Sequence, residues 1–296
     1  MNSKLLTILL FSSVCLIWGT TWFAMKEALH SIPPVFATGL RFLLAAPLLA
    51  VLAKSFNQSL LFPKGKRHWL LIVALMYFAI PFTLMIYGEQ YISSGLASII
   101  FANMPVAVML MSGLFLGLRL EKHQIFGLIT AIISLCLILG KEMQMGGGDY
   151  FIGTVCLGLA VTIHAVMYVL VQKHCKSIEV LTYNAVPSFI AAIILFAVSA
   201  VSEKVNVESF TWDSISAVVY LGFVASVGGI VAYFKLGQVS TPFKASICFL
   251  IFPVVALLIS CNINGEVLSE QSLFMMIPLL CGILLTKAPK SIFKLR

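Results

Sequence analysis

Residues 90–120 read QYISSGLASIIFANMPVAVMLMSGLFLGLRL, and residues 238–268 read QVSTPFKASICFLIFPVVALLISCNINGEVL. A shift of 148 residues aligns the two without a gap, and 11 of 31 positions are identical. Ala97-Ser98-Ile99 meets Ala245-Ser246-Ile247, Phe101 meets Phe249, Pro105-Val106 meets Pro253-Val254, and Gly117 meets Gly265. Shared apolar composition alone gives far fewer matches. The helix breakers correspond as well, Pro81 falling on Gly229. Because the shift is half of the 296 residues, the chain divides into two repeats, 1–144 and 145–296.

What each repeat holds follows from hydropathy. The chain is 60% hydrophobic and only 10% charged, whereas a soluble domain carries roughly 25% charged residues. A bilayer, not water, accommodates such a surface. Spanning helices need roughly 20 mostly apolar residues. Ten such runs are present: Leu5–Met25, Pro33–Ala53, Trp69–Tyr87, Gly95–Leu118, His123–Gly140, Tyr150–Val171, Val180–Val201, Ile215–Phe234, Ala245–Ile263 and Val267–Thr286. The first run reads through Trp18-Gly19-Thr20-Thr21-Trp22 with no small-residue cleavage site, so it reads as a retained helix.

The formal net charge of +8 does not point to nucleic acid, because the basic residues lie between apolar runs and form no stripe. With the N-terminus in the cytoplasm, 15 of the 19 basic residues fall in cytoplasmic segments and only Lys26, Lys141 and Lys204 fall outside. Nine of the 11 acids fall outside, leaving Glu121 and Glu179 within. Such a split is the positive-inside signature, and it puts both termini in the cytoplasm. Five helices per repeat is an odd number, so the second repeat enters the membrane from the opposite side. Inverted repeats of this kind are a hallmark of secondary transporters that work by alternating access.

The seven cysteines form no CxxC pair and sit almost wholly in apolar runs, which fits packing rather than disulfides or zinc. There is no phosphate-binding loop, nucleophile motif or ligand cluster, so no catalytic residue, cofactor or metal is expected.

Leu16-Ile17-Trp18-Gly19-Thr20-Thr21-Trp22-Phe23, Pro33-Pro34 followed by Arg41-Phe42, Ala97-Ser98 through Pro105 to Leu116-Gly117, and Ala245-Ser246 through Pro253 to Gly265-Glu266 stand in order along the whole chain. Taken together, they resemble the drug/metabolite transporter superfamily, in particular its EamA-domain exporters. The resemblance implies a ten-helix all-α integral membrane fold in the bacterial inner membrane. It also implies export of small metabolites such as amino acids, with a lipid bilayer and a small-molecule substrate as partners, a proton as a possible coupling ion, and a monomer or homodimer. Import of a vitamin-like solute such as riboflavin is the alternative on the same fold; a non-transport membrane subunit, an enzyme or a channel has less behind it. The pattern departs from the family at Gly117-Leu118-Arg119-Leu120, which lacks the usual glutamate, and at His164, near the place of a tryptophan. No acid stands in the first helix, unlike the small multidrug branch.

Few polar groups lie within the runs, and a charge there is costly unless it faces the bundle interior. Arg41 reads either as a contact for a substrate carboxylate or phosphate or as a cation that snorkels or pins a carbonyl. His164 reads either as a substrate or pH-sensing group or as a buried imidazole bonded to a backbone carbonyl. Trp18 and Trp22 share a helix face, and a shift of 146 matches them to His164 and Tyr168. These four rings line a central cavity or, for Trp22 in particular, join an interfacial aromatic belt. Asn103 precedes Pro105, where irregular backbone tends to line a cavity. Pro81, Pro105, Gly229 and Pro253 are candidate gate hinges, or simple bends. Glu89 and Gln90 are expected in a solvated loop, Lys244 as a topology signal. Met76, Met85, Met104, Met109, Met111 and the 22 phenylalanines are expected for the most part to face lipid or to pack.

Overall fold

The computed structural model describes residues 3–146, 148–240, 245–263, 265 and 268–288. All regular structure among them is helical. Among the described residues, nine helices are long and apolar enough to span a bilayer: α1 Lys4–Ala28, α2 Pro34–Ser55, α3 Lys64–Gly88, α4 Ser94–Leu116, α5 Lys122–Gln144, α6 Asp149–His174, α7 Val180–Ser202, α8 Trp212–Val239 and α10 Glu270–Lys287. The shorter α9, Cys248–Ile263, is the remaining apolar helix. The sequence reading of Lys244 and Glu266 lies outside the described residues.

Local chemistry sets the ends. Ser93, Thr211 and Ser269 accept from the amides of Leu96, Ser214 and Ser272, capping α4, α8 and α10. The Ser269 cap starts α10 three residues later than hydropathy alone predicts, because Val267 and Leu268 precede it. Gly117 ends α4 with φ +65°, and Gly265, 148 residues on, has the same φ. Both occupy the left-handed region that glycine tolerates best.

Two spans contain a π-helical segment. A π-helical segment, Ala74–Ala79, interrupts α3 just before Pro81. Another, Leu221–Gly228, interrupts α8 just before Gly229. They too lie 148 residues apart. By contrast α4 breaks at Asn103, two residues before Pro105, while Pro253 sits inside unbroken α9. The two prolines that correspond in sequence therefore act differently.

Pairing of the helices keeps the same regularity. α1 packs on α8 and α9, and α6 on α3 and α4. α2 packs on α7, α5 on α10, and α4 on α9. The α5–α10 seam is closest at Gly127 and Gly282, where an added Cβ would come within 2.7 Å of the opposite backbone. Small residues let spanning helices approach this closely.

Polar contacts show that the α2–α7 and α5–α10 pairs are antiparallel. The Glu203 carboxylate, just past α7, accepts from the Val35 and Phe36 amides at 2.8 and 2.9 Å where α2 begins. At the other end, the Thr182 hydroxyl of α7 donates to the Ser59 carbonyl beyond α2. Likewise Glu142 of α5 accepts from the Ser269 amide and hydroxyl at 3.1 and 2.8 Å, and Gln124 donates to the Thr286 carbonyl at 3.3 Å. Carboxylates thus satisfy helix N-termini at the acidic end of the bundle, and amide or hydroxyl donors satisfy carbonyls at the basic end. Glu203 also accepts from the Ser199 hydroxyl at 2.7 Å. Glu203→Ala is expected to lower unfolding stability in detergent by about 1–2 kcal/mol. An unchanged unfolding midpoint would reject the clamp.

Glu89 corrects an expectation. It is fully buried rather than in a solvated loop, whereas its neighbour Gln90 is exposed. The turn closing α3 carries Glu89 inward because Glu89 N–H still bonds to the Met85 carbonyl, continuing the helix.

Candidate functional site

Proline at 81 has no N–H to return to the carbonyl of residue 77, four positions back. That carbonyl, at Tyr77 in the α3 π segment, is one of two that the His164 ring approaches; the other is Ala160, one turn earlier in α6. His164 Nδ1 is buried and has no hydrogen-bond partner among the described residues. Tyr77, Phe82 and Phe101 surround the imidazole edge-to-face, with centroids at 5.0, 5.2 and 5.7 Å. Aromatic pairs favour this arrangement.

Arg41 also meets Phe82, its guanidinium carbon 4.8 Å from the ring centroid. The cation is 6% exposed, so it does not snorkel to an interface. Its Nε donates to the Ser226 hydroxyl at 2.8 Å, and Nη1 points to the Met25 sulfur at 3.7 Å. Ser226 belongs to the α8 π segment. Each π segment therefore serves one buried polar residue, Tyr77 facing His164 and Ser226 holding Arg41. Irregular helical turns of this type concentrate at functional sites. No carboxylate pairs with Arg41 among the described residues.

The tryptophans separate. Trp22 is 3% exposed and packs on Phe101 at 5.5 Å, which joins it to His164. The interfacial-belt alternative for Trp22 is thereby corrected: α4 covers that face of α1. Trp18 belongs to a second ring cluster, with Tyr233 at 4.9 Å and Phe249 at 5.4 Å. Trp18 meets Phe249 as His164 meets Phe101, so the positions matched in sequence keep matching partners. Gly229 lies against the indole: an added Cβ would come 2.9 Å from Trp18 Nε1.

Two expected residues stand apart from the centre. Asn103 is buried, but its side-chain amide donates to the Ile99 carbonyl at 3.0 Å, closing the break in its own helix. Tyr168 is 51% exposed and not packed among the rings. It stays within electrostatic reach of Tyr77, Tyr183 and Tyr233. Gly229 follows its π segment directly, Pro81 follows its own after Ile80, and Pro105 and Pro253 are buried.

Phe82, Phe101, Tyr77 and Ser226 were not among the expected site residues. For Phe101 a signal existed, since it is one of the identities between the repeats. Phe82 and Ser226 carry no comparable mark; Phe82 and Phe101 pack, and they do so against His164.

The EamA-like transporter family model matches residues 5–140 and again residues 151–287. Protein PagO of Salmonella typhimurium is 45% identical over 284 residues, covering 96% of this chain and 93% of that protein. An uncharacterized transporter of Buchnera aphidicola subsp. Schizaphis graminum is 42% identical, covering 98% and 97%. The inner membrane transporter YedA of Escherichia coli is 23% identical, covering 86% and 82%. A solved crystal structure shares the fold with a TM-score of 0.67 over 94% of this chain and 95% of the other, at 16% identity. With membrane-length helices throughout and a family match over both halves, this chain belongs to the EamA-like transporter family and is a multi-pass membrane protein.

Proposed function

We propose that this protein is a secondary transporter of the inner membrane that exports small metabolites by alternating access. In this reading the moving parts are two inverted five-helix repeats, 1–144 and 145–296, with both termini in the cytoplasm. One observation carries the proposal. π segments 148 residues apart, at Ala74–Ala79 and Leu221–Gly228, each serve a buried polar residue at the centre. The antiparallel α2–α7 and α5–α10 pairs support the inversion, and the matched φ of Gly117 and Gly265 supports the repeat. Two equivalent halves that break at equivalent depths can exchange conformations about a shared centre.

The substrate site we propose comprises Arg41, His164, Trp18 and Trp22, with Tyr168 on the approach and Asn103 holding the α4 break. Arg41 offers donors to a carboxylate and has no acidic partner among the described residues. His164 Nδ1 offers an open polar position, and the surrounding rings suit an apolar or flat body. Amino acids and related carboxylates match this chemistry. Pro81, Gly229, Pro105 and Pro253 are proposed hinges.

Counterflow in proteoliposomes with a panel of amino acids, vitamins and toxic analogues tests the reading. Movement of at least one carboxylate-bearing solute is expected, and a panel with no moving solute would overturn transport. His164→Ala and Trp18→Ala are each expected to lower the rate about tenfold at normal expression, given roughly 1–1.5 kcal/mol for a lost aromatic contact. Unchanged rates in both would remove the central assignment. Imposed proton and sodium gradients identify the coupling ion and direction.

A further inference from the structure

We propose that the basic end of the bundle carries a headgroup site for an anionic glycerophospholipid, in a cleft of about 430 Å³ between the α2–α3 and α6–α7 connections. This site is separate from the central cluster and does not depend on what the protein transports. Lys64 and Arg67 supply the cations on one wall. Ser177 supplies a hydroxyl on the other, beside Thr182, whose own hydroxyl is bonded to the Ser59 carbonyl, while Leu61 and Phe62 supply an apolar surface. Phe62 is buried and Leu61 exposed, so the apolar surface runs from the core to the cleft mouth.

Three features select the ligand. First, the cleft opens beside the N-terminus of α7, where Glu179 at the N-cap makes no side-chain bond to the first-turn amides. Those amides and the helix dipole favour an anion. Second, Lys64 and Arg67 outnumber the single acid of the lining, Glu179. Lys66 lies on the same short turn as Lys64 and adds to the positive charge nearby. Third, cations and an apolar wall occur together. Free phosphate uses only the former, whereas a diester headgroup on its glycerol uses both. The cleft lies where two apolar spans, α2 and α7, end, which is the depth of a headgroup. Basic clusters at this depth recruit anionic lipids, at about 1 kcal/mol for each Lys or Arg near the surface.

Native mass spectrometry of the full-length protein, released from nanodiscs of phosphatidylglycerol or phosphatidylcholine, tests the site. The wild type is expected to retain one phosphatidylglycerol, and about tenfold less phosphatidylcholine. The variant Lys64→Ala/Arg67→Ala is expected to lose about thirtyfold in phosphatidylglycerol occupancy. The control Arg119→Ala/Lys122→Ala, with the same loss of charge at the α4–α5 connection, is expected to change it less than about twofold. Swapping the charges without removing them, Lys64→Arg/Arg67→Lys, should retain the lipid and so separates binding from folding. Equal loss in both alanine pairs would reduce the effect to general surface charge and overturn the site. Displacement of the lipid by inorganic phosphate at millimolar concentration would assign the cleft to a soluble phosphate and overturn the lipid proposal.

Discussion

Arg41→Met is expected to lower counterflow about a hundredfold while the unfolding midpoint in detergent holds or rises. The two halves of this result come from one observation. Arg41 is buried with a serine hydroxyl, a thioether and an aromatic face as neighbours, and with no carboxylate among the described residues. A cation desolvated in this way destabilises the resting protein unless something else makes use of it. Removing it leaves no unpaired charge behind, and methionine fills much of the same volume against Met25 and Phe82. A charge-assisted bond to a substrate carboxylate, by contrast, contributes about 2–3 kcal/mol, which is the hundredfold loss. Arg41→Lys should recover only part of the rate, since a point ammonium lacks the planar fork that grips a carboxylate. A falling midpoint with intact counterflow would make Arg41 a structural pin between α2 and α8 instead.

Gly282→Val is expected to remove most of the folded protein, destabilising it by about 3 kcal/mol or more. A Cβ at 282 would stand 2.7 Å from the Gly127 carbonyl oxygen and 2.7 Å from the Ala131 nitrogen. Both are backbone atoms, so no rotamer change relieves the clash, and α5 and α10 must separate along the seam. Separation would also draw Ser269 from Glu142 and Thr286 from Gln124. Fluorescence-detected size exclusion and an unfolding midpoint measure the effect. At Gly237, where an added Cβ meets nothing within 4 Å, Gly237→Ala is the matched control and should be neutral. A well-folded Gly282→Val protein would show that the α5–α10 contact is not the rigid seam described above.

Some of this was legible in residue order because its cause is one-dimensional. Bilayer thickness sets helix length, so apolar runs located the ten helices, and only caps such as Ser269 moved their ends. The half-length shift is visible in Ala97-Ser98-Ile99 and Ala245-Ser246-Ile247, and it foretold that Pro81 and Gly229 would mark equivalent places. The site was half legible. Arg41 and His164 stood out because ionisable groups are rare in apolar runs. Phe82, which touches both, looked like any other phenylalanine.

Residue order by itself therefore determined the helix count, the family and the identity of the rare buried polar groups, since each depends on composition along the chain. Tertiary structure decided which of those groups meet. It joined Trp22 to His164 through Phe101 but sent Trp18 to Tyr233 and Phe249. It turned the Asn103 amide back on its own helix, left Tyr168 open and buried Glu89. The reason is geometric. Which face of a uniformly apolar helix meets protein rather than lipid depends on the neighbouring helices, and hydropathy is blind to that difference.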